Sequence, residues 1–151
     1  MKISFLHRGR MSGEIVDLIE DGREEPNAMN QFAGSLYYEI RLHRQKIKIG
    51  ECDLRIGMNN ELYYAGNIGY RIFDSWRGHH YAYEACKILF VLAKKEYHMT
   101  NLIVTCSPEN IASKKTLEKL GGTLVETVEV PEWHWLYKRG EKTKEIYHFD
   151  L

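Results

Sequence analysis

The first half of the chain has the alternating polar and apolar residues that predict β-strands. Four such segments are residues 14–20, 35–42, 47–56 and 62–73. The last of them is interrupted by Gly66 and Gly69, and a glycine within a strand often marks a bulge or a close approach of the backbone. The polar residues 43–46 predict a hairpin, whereas residues 21–34, with Gly22 near their start, predict an irregular loop. The first half is therefore predicted to form an antiparallel sheet.

After residue 74 the apolar residues recur at spacings of three and four. A helix over residues 82–97 is predicted, with an apolar face made of Ala82, Ala85, Cys86, Leu89, Leu92 and Ala93. Residues 102–106 predict a strand that is covered on both faces. Asn110 can cap a second helix that runs to Leu120. Residues 123–130 and 142–151 close the chain as strands, so the sequence predicts one α+β (α/β) domain over residues 1–151.

Composition and charge narrow the classes of partner. The chain has 151 residues with 21 basic and 21 acidic side chains, so no overall field would attract nucleic acid or an anionic membrane. The longest apolar run, residues 88–93, is far too short to cross a bilayer. Cys52, Cys86 and Cys106 are scattered and odd in number, which argues against a disulfide framework. We therefore expect a cytoplasmic protein that binds neither nucleic acid nor membrane.

A candidate phosphate-binding loop lies where the fourth predicted strand leads into the first predicted helix. Residues 70–82 combine the end of a strand, a short basic loop containing Gly78, and the start of a helix. The first turn of a helix presents backbone N–H groups without partners inside the helix, and the helix dipole adds partial positive charge. Such a turn can bind phosphate. Taken alone, the segment also fits an ordinary tight turn with a solvated Arg77.

A second segment, residues 107–122, lies one predicted strand further along. Together the two segments resemble the GNAT superfamily of N-acetyltransferases, particularly the branch containing the ribosomal-protein N-terminal acetyltransferases. In that branch a strand ending in Gly-Tyr leads to Arg-Gly-x-Gly-Tyr-Ala, and an Asn-x-x-Ser-x-x-x-Leu-Glu-Lys-x-Gly helix follows the next strand. The residues that match here are Gly69, Tyr70, Arg77, Gly78, Tyr81, Ala82, Asn110, Ser113, Leu117, Glu118, Lys119 and Gly121.

The resemblance implies a GNAT-like fold, with a mixed, mainly antiparallel central sheet of six to seven strands and two main flanking helices. In such a fold the fourth and fifth predicted strands, residues 62–73 and 102–106, splay apart into a V. An extended arm that contains amides can add itself to the free strand edges of such a V.

The resemblance also implies a co-substrate and a role for each matched position. Acetyl-CoA would place its pyrophosphate on the backbone of the loop formed by Arg77, Gly78, His79, His80, Tyr81 and Ala82. Ile72 and Phe73 would pair with the pantetheine arm, and Asn110 would hydrogen-bond its amide region. Ser113 would face the thiol end, where it is the candidate catalytic residue that protonates the departing thiolate. The implied reaction is acetyl transfer to a primary amine by direct attack in a ternary complex.

Three positions differ from residues that many members of the superfamily carry. His80 replaces the second glycine of the loop motif, and it either hydrogen-bonds the cofactor or stands where a side chain is tolerated. Asn67 and Leu117 occupy the usual positions of a carboxylate base and a tyrosine acid, and neither can do that chemistry. Catalysis could then depend on proximity and on polarisation of the thioester carbonyl. The alternatives are an impaired acyl-CoA-binding module and a structural or interaction domain.

Several residues are candidates for contact with the acceptor, which could be a small molecule or a protein. Glu51 and Asp53 could reach the cleft through water, or they could form a solvent-facing pair. Trp133 and Trp135 could wall an acceptor site or a homodimer contact, with core packing as the alternative. Cys106 is expected to be a buried structural thiol. No metal site is predicted, because the histidines of the loop are adjacent and lack the spacing of metal ligands.

Overall fold

The computed structural model describes residues 4–7, 9–27, 29 and 32–151. Its strands are β1 Ser4–His7, β2 Arg10–Ser12, β3 Val16–Glu24, β4 Phe32–Leu42, β5 Lys48–Gly57, β6 Ile68–Ile72, β7 Asn101–Cys106, β8 Thr123–Glu129 and β9 Thr143–Asp150. Its helices are α1 Asn60–Ala65, α2 Tyr81–Lys95, α3 Ile111–Lys119 and α4 Trp135–Lys138. The strands form two antiparallel sheets, with the orders β1-β2-β3-β4-β5-β6 and β7-β9-β8. None of these helices is long and apolar enough to span a bilayer.

Helix α2 lies on the larger sheet and carries most of the helical contribution to the core. Its buried residues are Ala85, Cys86, Ile88, Leu89, Leu92 and Ala93. This face packs on β3, β5 and β6, whose buried side chains include Leu18, Leu54 and Ile68. Full burial of a large aliphatic side chain contributes about 1.5–3 kcal/mol. The packing therefore fixes the position of the N-terminus of α2 relative to the end of β6.

The strands β6 and β7 are edge strands of the two sheets, and Asn67 joins them at the apex of a V. Its backbone N–H donates to the carbonyl of Ile103 at 2.8 Å, and its Oδ1 accepts from the Ile103 N–H at 3.0 Å. Its Nδ2 donates to the carbonyls of Arg55 and Gly57, both at 2.9 Å. Beyond this apex β6 and β7 share no strand pairing in the described part of the chain. The V predicted between the fourth and fifth strands is therefore the gap between β6 and β7.

The predicted α+β fold class and mainly antiparallel sheet are confirmed, but the strand 62–73 is wrong in its first half. Residues Asn60–Ala65 form α1. The Asn59 side chain caps this helix by accepting from the Leu62 N–H at 2.8 Å, and Gly66 ends it with a φ of 81°. Only Ile68–Ile72 is a strand. The two glycines thus separate a short helix from a short strand.

Other boundaries also differ from the sequence prediction. The predicted loop 21–34 is shorter, because β3 continues to Glu24 and β4 begins at Phe32, while residues 28, 30 and 31 lie outside the described part. Two N-terminal strands, β1 and β2, and the helix α4 were not predicted. The strands also divide between two sheets and number nine in the described residues, where six to seven were expected.

A buried carboxylate ties the start of β3 to the turn between β4 and β5. Asp17 accepts hydrogen bonds from the Ser12 hydroxyl at 2.6 Å, His43 Nδ1 at 2.9 Å and the Arg44 backbone N–H at 2.9 Å. Arg10 Nη2 lies 3.2 Å from Asp17 Oδ2, the oxygen that also accepts from the Arg44 N–H. Burial acts to raise the pKa of Asp17, but the hydrogen bonds from Ser12, Arg44 and His43 outweigh it and hold the pKa below its usual value. The ionised form is therefore the one that stabilises the fold.

Replacement of Asp17 by Asn is expected to lower the free energy of unfolding by about 2–3 kcal/mol at pH 7, because charge-assisted hydrogen bonds are lost. The folded-state pKa lies below the unfolded value, so this contribution is present above about pH 4 and disappears as the pH falls through the folded-state pKa. Urea unfolding at pH 7 and pH 3 measures it. A deficit of the same size at both pH values would contradict the assignment.

Candidate functional site

A cleft of about 1210 Å³ occupies the V between β6 and β7 and extends along α3. The predicted site residues that line it are Ile72, Arg77, Gly78, His80, Tyr81, Ala82, Asn110 and Ser113. Phe73 and His79 lie outside the lining. The Phe73 N–H donates to the carbonyl of Ile49 on β5 at 2.9 Å, and the His79 ring packs 5.4 Å from that of Tyr81.

The lining residues lie on both faces of the larger sheet. Tyr38, Cys52 and Tyr70 are directly opposite one another in the strand register, so they share the face that carries α2. Tyr37 and Asp53 lie one residue away from Tyr38 and Cys52 and point to the other face. The cleft therefore passes through the sheet at the V and has a compartment on each side. We call these the helix side and the far side.

The N-terminus of α2 borders the helix side and has no side-chain cap. The side chains of Asn59, Asn110 and His134 cap the other three helices, whereas His80, the N-cap of α2, makes no such hydrogen bond. The first helical bond of α2 runs from the Glu84 N–H to the His80 carbonyl at 3.1 Å. The amides of residues 81–83 therefore have no partner within the helix, and the dipole makes this end partially positive. This end can accept an anion.

The backbone conformation explains why His80 interrupts the glycine pattern. His80 has φ 62° and ψ 24°, in the left-handed region, and its side chain is exposed. Glycine enters this region without steric cost, while histidine is among the non-glycine residues found there more often than most. Gly78, two residues earlier, also has a positive φ of 87°. The family glycine therefore reflects a backbone requirement of the turn.

Replacement of His80 by Gly is expected to raise the free energy of unfolding by about 1 kcal/mol, because it relieves the left-handed strain. The affinity for CoA should stay equal or become tighter. Thermal unfolding and calorimetric titration measure the two effects. His79→Gly is the matched control, since His79 does not have a positive φ and should gain no stability. Weaker CoA binding by the His80 variant would assign a ligand role to its imidazole.

The edge of β6 that faces the V carries backbone groups that are not used in strand pairing. Because the Phe73 N–H points to β5, alternation along the strand directs the peptide groups of Ile72 and Tyr70 away from β5 and into the V. The Ile72 carbonyl accepts from Arg77 Nε at 3.1 Å. Arg77 also pairs with Asp74 at 3.2 Å, but both side chains are exposed, so this ion pair contributes little to stability. An extended ligand arm could replace Arg77 at this carbonyl.

Ser113 and Tyr70 meet on the helix side, across the V. Their hydroxyl oxygens are 2.5 Å apart, and Ser113 is buried in the first turn of α3. Burial raises the pKa of Tyr70 well above its usual value, so its phenol stays protonated at neutral pH. Asn110 Oδ1 accepts from the Ser113 backbone N–H at 3.1 Å and so orients this turn. Tyr70 belongs to the first sequence motif, but no local pattern predicts its contact with Ser113.

The two positions that usually carry proton-transfer groups are structural in this chain. Asn67 is 1% exposed and its side chain is fully used at the apex of the V, outside the cleft lining. Leu117 is fully buried in the core. The lack of a base and an acid at these two positions therefore does not decide whether other groups in the cleft can transfer a proton.

Asp53 supplies a carboxylate on the far side. It pairs with Arg55 at 2.7 Å, and Arg55 Nη1 is itself held by the carbonyl of Ala65 at 2.9 Å. Burial raises the pKa of Asp53, and the charge of Arg55 partly offsets the rise. A Cβ on Gly69 would lie 2.6 Å from both Asp53 Oδ1 and Arg55 Nη2. Gly69 therefore leaves the space that lets this pair lie over β6 beside the V.

The other candidates also have definite places. Glu51 lines the cleft at an exposed position and pairs with Lys48 at 3.0 Å. Trp135 is 40% exposed and lines the cleft, whereas Trp133 is 58% exposed outside the lining, so core packing is excluded for both. Cys106 lines the cleft but is buried, and burial raises its thiol pKa to about 11. It is therefore a protonated thiol at neutral pH.

The described residues contain no group of three or more histidine, cysteine, aspartate or glutamate side chains placed to hold an ion. The groups of the cleft that are available for chemistry include hydroxyls, the ion-paired carboxylates of Asp53 and Glu51, and backbone amides.

Residues 14–123 match the family model described as the acetyltransferase (GNAT) domain. No curated protein matches the sequence. Similar solved structures include an acetyltransferase of the GNAT family from Bacillus anthracis, with 21% identity, 76% of this chain covered and a TM-score of 0.60. A ribosomal-protein alanine acetyltransferase from Vibrio fischeri has 17% identity, 77% coverage and a TM-score of 0.62. A ribosomal alpha-N-protein acetyltransferase solved with coenzyme A has 17% identity, 78% coverage and a TM-score of 0.60.

The TM-scores of 0.60 to 0.62 support a shared fold. Because the identities are only 17% to 21%, the alignments support the fold alone. The chain spans 65%, 61% and 62% of the lengths of the three solved chains, in the order given.

Proposed function

Since the chain belongs to the acetyltransferase (GNAT) domain family, we propose that it transfers an acetyl group from acetyl-CoA to a primary amine. The observation that carries the proposal is the uncapped N-terminus of α2 at one end of a cleft that runs to the Ser113–Tyr70 pair. The first feature accepts a pyrophosphate, and the second offers a proton to a leaving thiolate. Both lie on the helix side.

The loop and the strand edge account for binding of the co-substrate. The amides that follow Gly78 receive the pyrophosphate, as at other helix N-termini. The peptide groups of Tyr70 and Ile72 that point into the V pair with the pantetheine amides, which replace Arg77 at the Ile72 carbonyl, and Asn110 lines the same path. Phe73 and His79 then act indirectly, because the first holds β6 on β5 and the second supports the Tyr81 ring.

The two compartments separate the reactants. The amine enters from the far side, where Asp53 can hold its ammonium form and take up a proton, directly or through water. The amine nitrogen then forms a bond to the acetyl carbon while the bond from that carbon to sulfur breaks. Ser113, hydrogen-bonded to Tyr70, protonates the departing thiolate, and the second proton that the nitrogen loses restores the hydroxyl pair through water.

The proposal includes two classes of acceptor, small amines and protein N-termini. The solved relative from Vibrio fischeri is described as acting on a ribosomal protein, which favours testing peptides first. Strand β3 ends at Glu24 and β4 begins at Phe32, so seven residues of the sequence separate the two strands. The far side is bordered by exposed residues such as Tyr37, at 39% exposure, which leaves room for a large acceptor.

Release of the CoA thiol in the presence of a panel of peptides and small amines tests the proposal. We expect acceptor-dependent release with at least one class. We also expect CoA at about one hundred times its Kd to raise the melting temperature by roughly 5–10 °C. Stabilisation by CoA without turnover on any acceptor would favour an acyl-CoA-binding module. No stabilisation at all would contradict the proposal.

A further inference from the structure

Two lysines on α3 line the cleft without making an ion pair to any residue in the described part of the chain. Lys115 and Lys119 are exposed and four residues apart, so they lie on the same face of the helix. Their neighbour Lys114 is different, because it pairs with Glu145 at 3.1 Å. Two uncompensated cations on the wall of a cleft form a local site for an anion.

Lys119 is held beside the first turn of α2 by an aromatic ring. Its Nζ lies 4.4 Å from the centroid of the Tyr83 ring, and Lys87 Nζ lies 4.6 Å from the same centroid. Tyr83 is the third residue of α2, within the turn whose amides are free. Lys87 is already paired with Glu84 at 3.0 Å. The free charge at this ring therefore belongs to Lys119.

The structural roles open to these lysines do not explain both. Lys119 ends α3, where a cation interacts favourably with the helix dipole. Lys115 lies in the middle of the helix, away from that end, and has no aromatic contact or acidic partner in the described residues. Both lysines line the cleft, so a role in the cleft would explain both.

The chemistry of CoA supplies an anion at a suitable place. CoA carries a phosphomonoester on the 3′ oxygen of its ribose, and this group is separated from the pyrophosphate by a single sugar. If the pyrophosphate lies on the first turn of α2, the second anion must lie close to that turn. Lys119 is held over a residue of that turn, and Lys115 lies one helical turn further along the same wall.

We propose that Lys115 and Lys119 form a subsite for the 3′-phosphate of CoA, so that the protein selects CoA over 3′-dephospho-CoA. The proposal rests on the proposed function, because it takes the pyrophosphate position as given. A dianionic phosphate gains charge-assisted hydrogen bonds from both ammonium groups. Because the lysines are exposed, the gain falls as salt rises.

Calorimetric titration of the intact protein with CoA and with 3′-dephospho-CoA tests the subsite. We expect CoA to bind about tenfold more tightly, the size for two partly exposed charge pairs. The double variant Lys115→Gln/Lys119→Gln should bring the ratio of the two Kd values close to one. Its affinity for 3′-dephospho-CoA should stay unchanged, which a general loss of folding would not produce.

A control variant removes two positive charges from a part of α2 that lies away from the proposed subsite. Lys94 and Lys95 are exposed in the last turn of α2, at the opposite end from the free amides, so Lys94→Gln/Lys95→Gln should keep the wild-type ratio. Equal affinity of the wild type for the two ligands would overturn the subsite and leave acetyl-CoA binding intact. A lowered ratio in the control, or an unchanged ratio in the Lys115/Lys119 variant, would also overturn it. Failure of both ligands to bind would instead remove the proposed function, and the subsite with it.

Discussion

Replacement of Asn67 by Asp is expected to lower the free energy of unfolding by about 3 kcal/mol or more, and not to increase acetyl transfer. The change places a carboxylate at the position where the resemblance to the family implies a base. In this chain the Nδ2 group at that position donates to the carbonyls of Arg55 and Gly57. An ionised carboxylate has no hydrogen to donate, so it would face two carbonyl oxygens at a site that is 1% exposed.

The destabilisation is best measured by urea unfolding at pH 7, with turnover measured on the folded fraction. Asn60→Asp is the matched control, because Asn60 is exposed at the first residue of α1, where an acidic side chain is tolerated. A variant at Asn67 that is as stable as the wild type, or more active, would show that this side chain serves the cleft and does not hold the V together.

The second large effect is expected on turnover. Tyr70→Phe and Ser113→Ala should each lower kcat by about 10²-fold, the usual contribution of a positioned proton donor, with little change in the KM for acetyl-CoA. The two hydroxyls are in direct contact, so the double variant should be no slower than the worse single variant. Such non-additivity is the signature of one proton path.

Tyr97→Phe serves as the control for loss of a tyrosine hydroxyl. Tyr97 packs against the core beyond the end of α2 and does not line the cleft. It should leave kcat unchanged. If Tyr70→Phe also left kcat unchanged, Ser113 would act without its partner; additive losses in the double variant would show two independent roles.

The sequence could predict the features that depend on local residue patterns. The apolar spacing of α2 and the two motifs predicted the main helices, and the resemblance to the GNAT family is confirmed by the family match over residues 14–123. The prediction failed at residues 60–65, where a single buried leucine and a polar cap specify a helix too short to show a period.

The parts that were missed depend on contacts between distant residues. Tyr70 and Ser113 are 43 positions apart, and their contact follows from the approach of β6 and α3 across the V. Asn67 and Ile103 are 36 positions apart, so the residues next to Asn67 in the sequence do not reveal its structural role. The position of His80 in the left-handed region is likewise a property of the folded turn, and the sequence showed it only as a missing glycine.

The proposed function requires the N-terminus of α2 to receive the pyrophosphate of acetyl-CoA. A crystal structure grown with saturating CoA tests it most directly. We predict pyrophosphate oxygens within hydrogen-bond distance of backbone amides in residues 78–83, and a thiol directed toward Ser113 and Tyr70. A structure that places the pyrophosphate away from this turn, or that contains no CoA under these conditions, would contradict the account.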